Sequence, residues 1–579
     1  VHNLSVARLT EFMTEEPRQP IRNRVRKPEL ICLILLMVAQ CAVLVSLAAR
    51  TGVTVDEPAH ILSSILYWEG NDRLDPRDMP PLIKIAGGWA ASEAGFRIVE
   101  ESAEIWRSHH EWGISMDMIR RMSKEQIRRA MLRARLPMIV FPLATGLLLW
   151  WWARQMFPFP AALLLAALFA AEPTSLGHGP LYKNDHAATF GHLLFWYRAW
   201  LYWKYPGMGN AALLGAGLSV ALLAKLSMLL LLPLGPLIVA ARFRKVSKKV
   251  LLAGLLAVLL VPYLGSIAAS QGEARRLRQE EITFIRNTTQ TNRFLWVPFR
   301  IFRLIPVPMP LWQGFTSLLY NNRNPNAVYL LGDYYPYGHR AYFLAAAAVK
   351  SPPLLLILLA AGIALQAARA RRGYLRAQDW LWLVPGALYF SMASLSGLQL
   401  GFRLVLPCLP FALLCMGLPL RFLLRRWPRA VPAAILSLHF VPLVIYYPHY
   451  IAYFNFPSGG PKNGLRYLSG SNIDWGQDLP LLQRFVREHG IPKLRLSYFG
   501  PEFPYSYFAE NEIEWIQPPY GGSSVTSAEY TPSPGVYAIS ATLLSGQFFG
   551  PNLRNYFRAF REMKPIGYAG YSIYIYRVP

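Results

Sequence analysis

Residues 30–60 read LICLILLMVAQCAVLVSLAARTGVTVDEPAH: twenty uncharged, mostly apolar residues, one arginine, then the adjacent carboxylates Asp56 and Glu57. At 1.5 Å per residue, such a run crosses a hydrocarbon core of ~30 Å as a helix. The polar stretch 1–29 ahead of it is too long for an ordinary cleaved leader, so the run reads as a retained anchor. Ten more apolar runs follow, near 136–153, 159–177, 186–203, 210–225, 226–241, 250–268, 341–366, 379–396, 404–420 and 430–447. The expected fold is mainly α: a polytopic membrane bundle of about eleven transmembrane helices.

Composition agrees. Of 579 residues, 53% are hydrophobic and 16% charged, against roughly 25% charged in an ordinary globular domain. The net charge of +26 admits nucleic acid, an anionic membrane surface or an anionic substrate. Its placement decides. The tracts 18–27, 242–249, 369–376 and 421–429 each flank an apolar run, as the positive-inside rule requires of cytoplasmic loops. No separate basic, aromatic-interleaved module exists, which argues against a nucleic-acid partner. With the tail 1–29 cytoplasmic, every strong basic cluster falls on one side. The opposite, extracytoplasmic side receives 50–135, 178–185, 269–340, the loop at Gly401 and everything after 448.

In 50–135, the stretches Pro80–Trp89 and Ala90–Val99 read as short amphipathic helices lying in the interface. Residues 448–579 are the one water-soluble region. There Leu479–His489 reads as a helix, and Leu494–Tyr498, Val536–Ser540 and Tyr571–Tyr576 as strands, giving a small α/β domain. Cys32, Cys41, Cys408 and Cys415 lie in apolar runs without CxxC spacing, so a disulfide or cysteine-metal site is not expected. Asn287–Thr289 forms a glycosylation sequon, incidental if the cell is bacterial.

Charged residues beside spans carry the chemistry. An acidic pair at the depth of Asp56 and Glu57 is costly without a partner or a role, and His60 lies one helical turn after Asp56. Asp185, in GHGPLYKNDHAATF (177–190), falls on the same membrane face; its alternative is a helix cap. Lys84, Lys183, Lys225 and Arg403 lie at that level too. Lys225 and Arg403 could instead snorkel from span ends; together the four suggest a pocket for an anionic group. Asp474, Trp475, Gln477 and Asp478 suit sugar recognition, but a tight turn and helix cap, with Asp474 capping and Trp475 packed in the core, is the better reading.

The ordered series DEPAH, MPPLIK (79–84) and the Asp that opens the fourth span resembles the protein O-mannosyltransferase-like superfamily with the GT-C fold. YLLGDYYPYGHRAYFLAAAAVKSPP (329–353), GFRLVLPCLP (401–410), YYPHYIAYFN (446–455), SGGP (458–461) and SNIDWGQDL (471–479) resemble its bacterial glycosyltransferase family 39 branch. The resemblance implies transfer of a sugar from a polyprenyl-phosphate donor to a hydroxyl of a protein, lipid or glycan acceptor, in the inner (plasma) membrane. It assigns the catalytic base to Asp56, a supporting catalytic role to Glu57 and Asp185, and donor-phosphate binding to Lys84. His60, Lys183, Lys225 and Arg403 extend that site. His186 departs from the small or hydrophobic residue usual after the Asp of the second motif. No cofactor is required; a divalent cation, if used, would bind Asp56 and Asp185. A transporter or lipid-linked-sugar flippase, or a non-catalytic export component, is the rival reading. The absence of internal repeats and the gathering of charge at one face disfavour transport.

Overall fold

The computed structural model describes residues 26–70, 79–98, 111–288, 304–517 and 529–579. The tail expected over 1–29 lies outside them up to position 25, as do 71–78, 99–110 and 289–303 of the two large loops, including the last sequon residue.

All eleven apolar runs contain helix. Among the described residues, six helices are long and apolar enough to cross a membrane: Lys27–Arg50, Lys124–Arg154, Leu226–Lys245, Lys248–Ala269, Pro353–Arg371 and Phe402–Arg426. Shorter apolar helices are Phe159–Ala170, Met208–Ala224 and Ala430–Tyr446, and Asp185–Lys204 and Trp380–Leu395 complete the set. Leu30, Ile31, Ile34, Leu35 and Val38 of the first helix are exposed, a patch that water would not tolerate and lipid covers. Between helices, small residues permit close approach. A Cβ on Gly191 would lie 2.7 Å from the Cα of Ala221, so the helices carrying them touch backbone to backbone.

Three boundaries differ from expectation for identifiable reasons. The run 341–366 is two helices, Tyr342–Lys350 and Pro353–Arg371, because Pro352 and Pro353 push Ser351 to an extended conformation. The run 159–177 stops at Ala170; Glu172 caps a new short helix, Pro173–His178, by accepting from the Ser175 amide at 2.6 Å. The helix of the second span begins at Lys124, twelve residues before the expected start at 136, within what reads as loop. Ser123 and Gln126 form a capping box there, and Ile127, Ala130, Met131 and Ala134 bury one stripe. In the first loop, helices Glu57–Trp68 and Pro81–Ser92 pack together. No helix forms over 90–98 beyond Ser92.

The C-terminal region holds a five-stranded sheet in the order Ile513–Trp515, Leu494–Ser497, Gly535–Ser540, Ile573–Val578, Gly567–Ala569. The first three strands are parallel and the last two antiparallel to their neighbours. Helix Leu479–Glu488 buries Leu479, Leu482 and Val486, a helical i, i+3, i+7 stripe, in a core with Leu494, Leu496, Ala538, Ile573 and Ile575. Helix and three strands match the sequence reading within about two residues; the short edge strands 513–515 and 567–569 were not foreseen. The segment leading into this region does not stand apart from the bundle. Trp475 packs with Leu181 and Ile451, beside Val55.

Candidate active site

Helices Asp185–Lys204 and Met208–Ala224 form an antiparallel hairpin, up and back through similar lengths. That topology returns Lys225, the residue just after the second helix, to the level of Asp185 at the start of the first. The Lys225 ammonium donates to Asp185 Oδ1 at 2.6 Å. Arg403, in the 3-10 turn Phe402–Cys408 that opens a long helix, donates from Nη1 to Asp185 Oδ2 at 3.0 Å. Its Nη2 lies 3.5 Å from Asp56 Oδ2, and Lys183 pairs with the same Asp56 oxygen. One guanidinium therefore joins two carboxylates that are far apart in sequence. Neither carboxylate caps its helix, and neither Lys225 nor Arg403 snorkels outward.

Three cations and two carboxylates leave a net charge of +1 in a largely buried cluster, where Coulomb interactions are stronger than in water. The Asp56 side chain is 20% exposed, against 2% for Asp185. His60, one turn after Asp56, is buried and close enough to feel the charges of Lys183, Asp56, Asp185 and Arg403. Lys84 is buried on the neighbouring helix, its ammonium 6.0 Å from the centre of the Tyr67 ring.

Glu57 belongs to a second, fully buried network. Its carboxylate accepts from Arg135 Nε (2.8 Å) and Nη2 (2.6 Å), from the Thr54 amide (3.0 Å) and hydroxyl (3.1 Å), and from the Tyr182 amide (2.9 Å). Arg135 also donates to the carbonyls of Ala48, Thr51 and Gly52. With its oxygens so occupied, Glu57 is suited to hold the loop 51–56 rather than to exchange protons.

The C-terminal region closes that loop from the other side. The Gly52 amide donates to the Gln477 carbonyl and the Val55 amide to the Trp475 carbonyl, both at 2.9 Å. A Cβ at position 52 would sit 2.4 Å from the Gln477 oxygen, so only glycine lets the two segments meet. Glu502 accepts from the Val53 amide at 3.2 Å and from the Tyr507 hydroxyl at 2.5 Å. Burial pushes the Glu502 carboxyl up to about 7.

The 474–478 turn follows the structural reading in part. Asp474 accepts from the Thr542 and Gly476 amides, and Gln477 bridges the Trp475 amide and the Ile473 carbonyl. Asp474 does not cap the helix Leu479–Glu488, whose N-cap position is Asp478, without a side-chain cap bond. Burial raises both carboxyls, Asp474 to about 7. Trp475 is buried as expected, in a small core with Leu181 and Ile451, and its ring also lies against the charged cluster. Arg403 Cζ lies 4.2 Å and Lys183 Nζ 5.1 Å from its ring centre. His186 makes a ring-to-carbonyl contact with Ser175, 3.0 Å.

Arg135 and Glu502 thus join the residues anticipated from sequence, and Trp475, singled out there for sugar recognition or core packing, meets the charged cluster. Among the described residues, no group of three or more His, Cys, Asp or Glu side chains is arranged to hold a metal ion. Both Asp185 oxygens and Asp56 Oδ2 face cations, which does not fit a divalent metal between these carboxylates. A shallow hollow lined by Tyr205, Asn210, Leu213 and Val261, at the opposite end of the hairpin, carries no charged side chain.

No protein-family model matches the chain, and no curated protein matches it. Among solved structures it is similar to ArnT from Cupriavidus metallidurans bound to undecaprenyl phosphate, at 14% identity and a TM-score of 0.43, over 94% of this chain and 97% of that chain. The same protein in the apo state gives 13% identity and a TM-score of 0.43 over the same shares. A likeness at this level leaves the assignment to the residues themselves.

Proposed function

We propose that this protein transfers a sugar from a polyprenyl-phosphate donor to an acceptor hydroxyl at the extracytoplasmic face of the inner membrane, as a GT-C glycosyltransferase of the family 39 type. The observation that carries the reading is the Asp56–Arg403–Asp185 bridge: one partly accessible carboxylate inside a cluster of net positive charge. The ordered motif series described above supports the same reading.

Each group has a role in one displacement. Asp56 takes the proton of the acceptor hydroxyl as its oxygen bonds to the anomeric carbon. The bond from that carbon to the phosphate oxygen breaks, and the diester monoanion becomes a monoester dianion. Phosphate leaves without a proton donor, so what it requires is positive charge against the second negative charge. Arg403, Lys183, Lys225 and Lys84 supply it. A single displacement inverts the anomeric configuration.

The donor also prepares the base. Its phosphate competes with Asp56 for Lys183 and Arg403, and each cation drawn away makes the Asp56 carboxylate more basic. Asp185 keeps Lys225 and Arg403 in place, and Glu57 with Arg135 fixes the loop. The direct test is turnover of a radiolabelled polyprenyl-phosphate sugar by the purified protein with envelope glycans, lipids and proteins as acceptors. Donor binding with movement across the bilayer and no transfer would identify a flippase instead.

A further inference from the structure

We infer that Trp475 is a positioning residue that holds the two phosphate-facing cations without neutralising them. The inference rests on the proposed role of Lys183 and Arg403 toward the donor phosphate. Trp475 lies in the C-terminal region, far in sequence from every charged residue of the cluster, and the proposed chemistry gives it no task.

Four contacts converge on it. Its indole ring lies 4.2 Å from the Arg403 guanidinium carbon and 5.1 Å from the Lys183 ammonium, within the ~6 Å range of cation–π attraction. Its carbonyl accepts from the amide of Val55, the residue before Asp56. Its own amide is fixed at 2.7 Å by Gln477 Oε1, while Asp474 ties the turn to the Thr542 amide. One residue therefore sets both the backbone position of Asp56 and the reach of its two cationic partners.

The choice of an aromatic ring has a physical consequence. A third carboxylate at this place would also orient the cations, but it would turn the net +1 of the cluster into zero and remove the attraction for an anion. The ring offers its electron-rich face and no net charge. The cations stay ordered and remain available to phosphate. SNIDWGQDL then reads as a scaffold for this indole, with Asp474 and Gln477 as its braces.

The test uses full-length protein in detergent and sugar-free radiolabelled polyprenyl phosphate as the probe, so binding is read without transfer. Trp475→Leu should weaken binding about tenfold, equivalent to about 1.4 kcal/mol, and raise KM for the sugar donor with a smaller effect on kcat. Trp475→Phe should restore binding to within two- to threefold of wild type. Unchanged binding by folded Trp475→Leu, or a loss that phenylalanine does not rescue, overturns the inference. If Trp475→Leu does not fold, Trp475→Phe alone decides: two- to threefold weaker binding supports the role and unchanged binding overturns it. Arg403→Gln separates the levels. If it loses binding and the Trp475 variants do not, Trp475 alone is misassigned; if neither loses binding, the phosphate pocket itself is wrong.

Discussion

Arg135 and Glu57 meet as fork to carboxylate, Nε to Oε1 at 2.8 Å and Nη2 to Oε2 at 2.6 Å, with both side chains essentially excluded from solvent. Removing one partner of such a pair strands the other charge, at a cost of about 3–5 kcal/mol. Glu57→Gln and Arg135→Met should each lower the unfolding temperature markedly. The double variant should recover part of the loss, because no uncompensated charge remains. Additive losses in a double-mutant cycle would refute the coupling.

Asp56→Asn should abolish most transfer, by roughly 10²–10⁴-fold, the range of general base catalysis. It should also bind polyprenyl phosphate at least as tightly as wild type, since Asp56 no longer competes for Lys183 and Arg403. Single-turnover rates and binding isotherms read the two effects separately. Retained turnover would eliminate Asp56 as base.

Arg403→Lys keeps the charge but loses the fork that reaches Asp185 and Asp56 at once. Donor affinity should fall by about tenfold, with kcat reduced as well because the two carboxylates lose their common partner. Wild-type kinetics in this variant would show that charge alone suffices.

Glu502 gives a stability prediction with a defined sign. Burial raises its carboxyl to about 7 from an ordinary 4.5, so the folded protein holds a proton that the unfolded chain releases. Stability from this group is therefore full below about pH 4.5 and is lost as pH rises through about 7, by on the order of 3 kcal/mol. Glu502→Gln should flatten that part of the profile and raise the unfolding temperature at pH 7.5 relative to pH 5. A variant with the wild-type pH slope would show that Glu502 does not titrate there.

The bundle and the charged residues that cluster beside it were legible because lipid enforces long uncharged runs, so each charge near a run's end stands out. Asp56, Asp185, Lys183, Lys225 and Arg403 were found in this way, and the hairpin connection explains why Lys225 returns to Asp185. Arg135 was not, because it sits among Arg128, Arg129 and Arg133 in KEQIRRAMLRAR, where composition cannot rank the arginines. Helical register could have ranked them: Arg135 follows Ile127 and Met131 by eight and four positions, on the stripe that becomes buried. Trp475 and Glu502 approach the loop through tertiary contacts across most of the chain, for which no local pattern exists. The break at Ser351 was visible in its two prolines but masked by the apolar residues on both sides.

Val53 and Glu502, joined by a hydrogen bond, are 449 positions apart. At about 5–20 residues per second, ribosomes take some 20–90 s to bridge that interval. Throughout it the first anchor is already made while the pieces that pin its following loop do not yet exist. Until translation has passed the tryptophan turn, the Gly52, Val53 and Val55 amides lack the partners that fix the loop leading to Asp56.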